Sequence, residues 1–420
     1  MGGGDRVPTH VAESPAARGR VSRRAGFWLV AYVFAATMIG NTLPTPLYAL
    51  YQVRWEFSSG MVTLIFATYA AGVLTALLLA GRSSDQVGRR PVLAAAVLFS
   101  VASALCFIMA SGTSWLFAGR VLSGVSAGLV TGTGTATLTE MAGPESVRRA
   151  SIMATVAATG GLGLGPLIAG FFAEYAPNPT VLVFQVYLLL LVVAGIGLAV
   201  VPETAPSRSK LDLRFVGFRI PESSKRQFLA AAAAGFVALA LLGLFTALAP
   251  SFLGGVLDVG NFAVRGTLVF LIFAASTVAQ IVLGRSPTHV STRLGLLLYI
   301  VALALIVGAL DQASMALFVM GTIAGGVAVG AAFIGSLAAG NRLSPPEIRG
   351  QVVSTYFTFA YLGLTVPVIT VGFAADEIGY LGAVFACSLG LAALCVVTLL
   401  FAREVTTAGA PKLDVNGTSQ

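Results

Sequence analysis

The sequence predicts an all-α membrane protein, with twelve transmembrane helices arranged as two pseudo-symmetric six-helix bundles. Three observations predict it: long apolar runs, a duplicated hydrophilic loop and an uneven distribution of basic residues. The chain has 420 residues, 57% hydrophobic and only 10% charged, with mean hydropathy +0.90. Soluble domains carry about 25% charged residues. A helix needs roughly 20 apolar residues to cross the hydrocarbon core. Barrel strands instead alternate over about ten residues, so the continuous runs exclude a β-barrel.

Residues 1–25 are polar and bear arginines, with no apolar core or cleavage site, and read as a cytoplasmic tail. The first bundle, 26–201, holds apolar runs at 27–51, 60–80, 91–110, 115–139, 151–173 and 180–201. Residues 202–227 contain six Lys or Arg and three Pro, with Leu211, Leu213, Phe215 and Val216 scattered among them. They read as a cytoplasmic linker suited to a short interfacial amphipathic helix. The second bundle, 228–402, holds runs at 228–250, 266–284, 294–310, 314–340, 351–373 and 380–402. Residues 403–420 form a polar cytoplasmic tail, expected to be disordered.

The pI near 9.7 reflects topology rather than a nucleic-acid partner. With the N-terminus in the cytoplasm, 22 of the 25 Lys and Arg fall in cytoplasmic segments, among them Arg18, Arg20, Arg82, Arg148, Arg149 and Arg214. Only Arg54 and Arg265 fall outside, and Arg120 lies within a span. This is the positive-inside pattern with both termini inside. Trp28, Trp55 and Trp115 sit at span ends as interfacial anchors. Cys106, Cys387 and Cys395 lie within spans and read as small buried hydrophobes, not a metal or disulfide framework. Arginine outnumbers lysine 22 to 3, which points to a GC-rich bacterial genome and a bacterial plasma (inner) membrane.

The loop Gly81-Arg82-Ser83-Ser84-Asp85-Gln86-Val87-Gly88-Arg89-Arg90 returns in faded form 203 residues later as Gly284-Arg285-Ser286-Pro287-Thr288-His289-Val290-Ser291-Thr292-Arg293. Thr42–Tyr48 resembles Thr246–Phe252 at an offset of 204, and Pro166 answers Pro367 at 201. Six spans separate each pair, so the repeats keep one orientation. That is the parallel arrangement in which two bundles rock about a midplane site. Glycine, 48 residues in all, clusters in spans 4, 5 and 10, where small residues allow close helix packing.

The loop after span 2 resembles the Gly-x-x-x-Asp-Arg-x-Gly-Arg-Arg signature of the major facilitator superfamily. Gly81, Asp85, Gly88, Arg89 and Arg90 match it, and Gln86 replaces the usual arginine. Arg120 and Gly124 resemble the fourth-span Arg-x-x-x-Gly pattern of proton-linked members. Gly161, Gly165, Pro166 and Gly170 resemble the fifth-span motif of the twelve-span drug:proton antiporters, with Ala169 at one expected glycine. The resemblance implies efflux by alternating access, a hinge in span 5, and Glu140 as a partner for Arg89. From the residues themselves, Asp85 among three arginines should be ionised and bridged. It is also placed to latch onto a helix N-terminus of the other half. Thr288 in the second copy leaves that latch one-sided.

Arg120 is the one charged side chain placed well inside a predicted span. A buried guanidinium costs roughly 2.5–3.5 kcal/mol on insertion scales, so such residues face water or partners. Asn41 and Thr42 lie at similar depth, and no Asp or Glu falls inside any predicted span. Neutral, amphipathic or anionic substrates fit that charge. Tyr48, Ser123, Thr246, Gln280, Tyr356, Thr358 and Tyr361 are further cavity candidates. The chain shows neither a nucleophile–base pair nor a phosphate-binding loop, so no enzyme, cofactor or metal is expected. The expected partners are a small-molecule substrate, protons and membrane lipid, with the protein a monomer. The alternatives are a gradient-driven importer or uniporter, or a receptor that transports nothing.

Overall fold

A computed structural model describes residues 21–408 apart from 82, 144–145, 206–209, 214, 216, 256 and 345–347. Of the expected tails, 1–25 and 403–420, residues 1–20 and 409–420 lie outside the described residues, as do Arg82, Arg214 and Val216; the first helix already begins at Arg23, and 403–408, expected to be disordered, continue the last helix. Among the described residues, eleven helices are long and apolar enough to cross a membrane.

The first span, predicted as one run, is broken. α1 (Arg23–Thr42) begins at Ser22, whose Oγ accepts from the Ala25 N–H at 3.3 Å. Pro44 and Pro46 offer no N–H to continue it. The chain passes through a tight turn at Thr45–Leu47 into α2 (Tyr48–Trp55). α3 (Ser59–Ala80), α4 (Ser83–Val87), α5 (Arg89–Ile108) and α6 (Thr113–Ala142) follow. The fifth span consists of α7 (Val147–Thr155), a π turn at Val156–Gly160, and α8 (Gly161–Tyr175). α9 (Pro179–Val200) closes the first half.

Between α9 and α10 (Lys225–Gly255) the only helical turn among the described residues is Glu222–Ser224, so the amphipathic linker helix is not formed there. Leu211, Leu213, Phe215 and Phe218 are exposed. α11 (Phe262–Leu283), α12 (Thr288–Asp311) and α13 (Met315–Arg342) precede α14 (Arg349–Ala408). The two runs predicted in α14 are joined without a loop. Gly379, at φ 75° and ψ 161°, divides them with a single left-handed residue that only glycine adopts readily.

Helix contacts recur across the repeat. α1 packs on α6 and α8 as α10 packs on α13 and α14; α3 on α6 as α11 on α13; α5 on α6 and α9 as α12 on α13 and α14. Across the two groups α8 meets α11, and α3 meets α14. At the first crossing the backbones nearly touch: a Cβ on Gly170 would lie 2.6 Å from the Phe262 carbonyl oxygen. Cys395 is buried, Cys106 and Cys387 half-buried, and all three are free thiols. Trp55 stacks on Tyr51 at 5.0 Å, and Arg149 lies over the exposed ring of Trp28.

Candidate functional site

Arg120 does not face lipid. It is 1% exposed, wedged among α1, α3 and α6. One terminal nitrogen donates to the Asn41 carbonyl and the other to that of Phe66 at 3.4 Å. The guanidinium lies over the rings of Tyr69 and Phe66, at 4.7 and 5.2 Å. These carbonyl dipoles and π faces replace the counter-ion that the sequence lacks. Ser123 donates back to the Arg120 carbonyl at 3.0 Å. Buried nearby are the Asn41 Oδ1, Thr45 Oγ1, Tyr48 hydroxyl and Arg120 Nε, none with a hydrogen-bond partner.

The other candidates scatter. Thr42 turns away from Arg120 and donates to the Leu162 carbonyl in α8 at 2.5 Å. Gln280 donates to Thr159 in the π turn at 3.2 Å, joining the fifth and eighth spans. Tyr356 is buried beside Phe228 and Val352 in a separate apolar cluster, its hydroxyl 2.8 Å from that of Ser336. Thr246 and Thr358 bond carbonyls of their own helices. Tyr361 packs against the buried apolar cluster that contains Phe66 and Tyr69.

The glycines of the fifth span face two helices. Cβ atoms on Gly161 and Gly165 would strike α1, and on Gly163 and Gly170, α11. That α8 is packed closely on both sides follows from this spacing, with Pro166 turning its carbonyl towards Gly266.

At the opposite end, Gly81 ends α3 and α4 carries Asp85 into reach of Arg89. Arg89 donates to Asp85 at 2.6 Å, to Ser84 at 2.6 Å and to Glu140 at 2.8 Å. Glu140 also accepts from Thr204 at 2.5 Å. Glu203, which sequence reasoning missed, accepts from the backbone N–H of Arg89 and Arg90 at 2.8 and 3.0 Å, capping α5. Gly88 makes the cap: its φ is 100°, and a Cβ there would lie 2.8 Å from Glu203. Arg90 reaches the Ala199 carbonyl at 2.9 Å. Asp85, mostly exposed, makes its ion pair within this network rather than with the other half.

Acid-to-helix contacts between the halves occur at the far end instead. Glu174 in the last turn of α8 accepts from the Phe262 N–H at the start of α11, at 2.7 Å. Asp376 in α14 accepts from the Gly60 N–H at the start of α3, at 3.3 Å. Both acceptors and both donors are 202 positions apart (376 − 174 and 262 − 60). Ser59 and Tyr380 add a hydroxyl pair at 2.9 Å. Sequence reading left both acids between spans; the offset of 202 was the signal that could have paired them.

The repeated helix plan, a charged turn at one end and acid contacts at the other define a polytopic all-helical membrane protein. The model for the Major Facilitator Superfamily matches residues 27–293, and the chain belongs to that superfamily. The multidrug transporter MdfA of Edwardsiella ictaluri is 31% identical over 231 residues, 53% of this chain and 55% of that protein. The multidrug resistance protein MdtL of Citrobacter koseri is 43% identical over 72 residues, 17% and 18% of the two chains. The chain thus spans about half the length of the curated MdfA relatives it matches. A bacterial homolog of the human lysosomal transporter Spinster, inward-facing and occupied, is similar at TM-score 0.68 and 15% identity, over 91% of this chain and 96% of that one. The human organic anion transporter MFSD10 gives 0.60 at 18% identity, over 93% and 100%. At these identities the likeness is one of fold.

Proposed function

We propose that the chain is a secondary transporter exporting small amphipathic molecules by alternating access in exchange for protons. Two six-helix bundles, 26–201 and 228–402, rock against one another, with both termini cytoplasmic and 202–227 linking them. The observation that carries this reading is the matched pair Glu174–Phe262 and Asp376–Gly60. Each half closes the outer face by offering a carboxylate to the positive end of a helix in the other. A fixed scaffold has no need of two such small, reversible contacts related by its repeat. The multidrug names of the relatives support export.

In this reading Arg120, Asn41 and Tyr48 hold the polar end of the substrate. Their unpartnered buried atoms are the groups a ligand would satisfy. Gly81, Asp85, Gly88, Arg89, Arg90 and Glu140 form the inner gate, and Gly161–Gly170 the hinge. No carboxylate touches Arg120 among the described contacts, and this favours neutral or anionic substrates. It also keeps a uniporter as the second reading. Everted vesicles holding a pH gradient test both, using matched neutral and cationic dyes and Arg120→Ala as control. An antiporter collapses the gradient on adding the neutral dye, and Arg120→Ala abolishes the collapse. A gradient left intact while dye moves identifies a uniporter, and preference for the cationic dye overturns the substrate class.

A further inference from the structure

Among the described residues, the inner ends of the two halves share helices but differ in the charges they carry. In the first, three carboxylates meet Arg89 and the start of α5. Carried across the repeat, Glu140 becomes Arg342 at an offset of 202, and Asp85, Arg89 and Arg90 become Thr288, Thr292 and Arg293 at 203. These second-half residues line one cavity of about 270 Å³ between the inner ends of α10, α12, α13 and the last part of α14. His289, Thr398, Gln227 and Ser336 add to its polar wall, Ala230, Ala231 and Leu296 form its apolar floor, and among the described residues none of its lining is acidic.

We propose that this cavity binds a phosphate group, carried either by an anionic phospholipid of the inner leaflet or by a free solute. An arginine fork pairs with phosphate oxygens through two parallel N–H donors. Threonine hydroxyls supply further donors, and α12 begins at Thr288 on the cavity wall with its positive end towards the site. Basic pockets between helices on the cytoplasmic side recognise anionic headgroups in this way. The apolar floor suits the first carbons of an acyl chain. In the first half, protein carboxylates serve the equivalent positions: Glu140 pairs with Arg89, and Glu203 accepts from the backbone at the start of α5.

The test uses the full chain in nanodiscs of phosphatidylcholine doped with phosphatidylglycerol, with retained lipid read by native mass spectrometry. The wild type should retain phosphatidylglycerol in excess of its share. Arg342→Gln should cut that excess about fivefold, the worth of one surface cation near anionic lipid. Arg342→Lys should largely restore it, and Arg226→Gln, outside the cavity, should leave it unchanged. Arg342 is exposed, so neither change threatens the fold. Millimolar inorganic phosphate distinguishes the sources: if it displaces the lipid the ligand is a phosphate-bearing solute, and if not, a headgroup. Equal retention in wild type and Arg342→Gln, with no phosphate bound to either, overturns the proposal.

Discussion

Among the described residues, one end of the molecule carries its inter-half contact twice, whereas the opposite end shows its full carboxylate–arginine network once. At the first end, Glu174 and Asp376 do the same work from repeat-related positions. At the other end, Arg89 gathers Asp85 and Glu140 while Glu203 caps α5, and the second half offers Thr292, Thr288 and Arg342 in place of Arg89, Asp85 and Glu140. The difference teaches what duplication preserves. Contacts that join the halves to each other need both copies to balance. Contacts within one half can drift once a single copy suffices.

The largest effect that could break this comparison is expected at Arg89. Arg89→Ala leaves the half-buried Glu140 without its cation and should cost about 3 kcal/mol, read as a lowered melting temperature, while Thr292→Ala should cost far less. Equal losses would end the claim that the inner network is one-sided. Next comes Gly88→Ala, which places a Cβ at φ 100° and against Glu203. It should cost about 2 kcal/mol, whereas Ser291→Ala, inside a regular helix, should cost under about 1 kcal/mol. Denaturation in mild detergent checks the pair. The smallest effect is at the end that carries Glu174 and Asp376. Glu174→Gln and Asp376→Asn each weaken one charge-assisted hydrogen bond and, on the proposed alternating-access reading, should each shift the balance towards opening at that end about fivefold. The reading is thiol labelling of a cysteine at the outer mouth; a clearly unequal pair would break the symmetry argument.

The spans were legible because hydrophobic length is a local property, and so was the turn from Gly81 to Arg90, whose glycines and charges are contiguous. The Arg89–Glu140 meeting followed from the family pattern. Glu203 was not legible, since it lies 114 residues from the N–H it caps and in a stretch that reads as linker. That Arg120 must turn to groups other than carboxylates followed from the acid-free spans, but which carbonyls and which rings it meets did not, because they leave no signature in composition. Helix ends hid Glu174 and Asp376: the hydropathy runs stopped short of the last turns that carry them. Pro44 and Pro46 were visible, but apolar neighbours masked the break they make.

The π turn at Val156–Gly160 amounts to one surplus residue in the fifth span. One residue of an α-helix corresponds to about 100° of azimuth. The segment bearing Arg148 and Arg149 is thereby indexed independently of the segment whose glycines seat against α1 and α11. A shaft with such an offset can keep its outer bearing seated while its inner end is re-aimed. Thr159, joined to Gln280 at the offset itself, is where that re-aiming would be felt first.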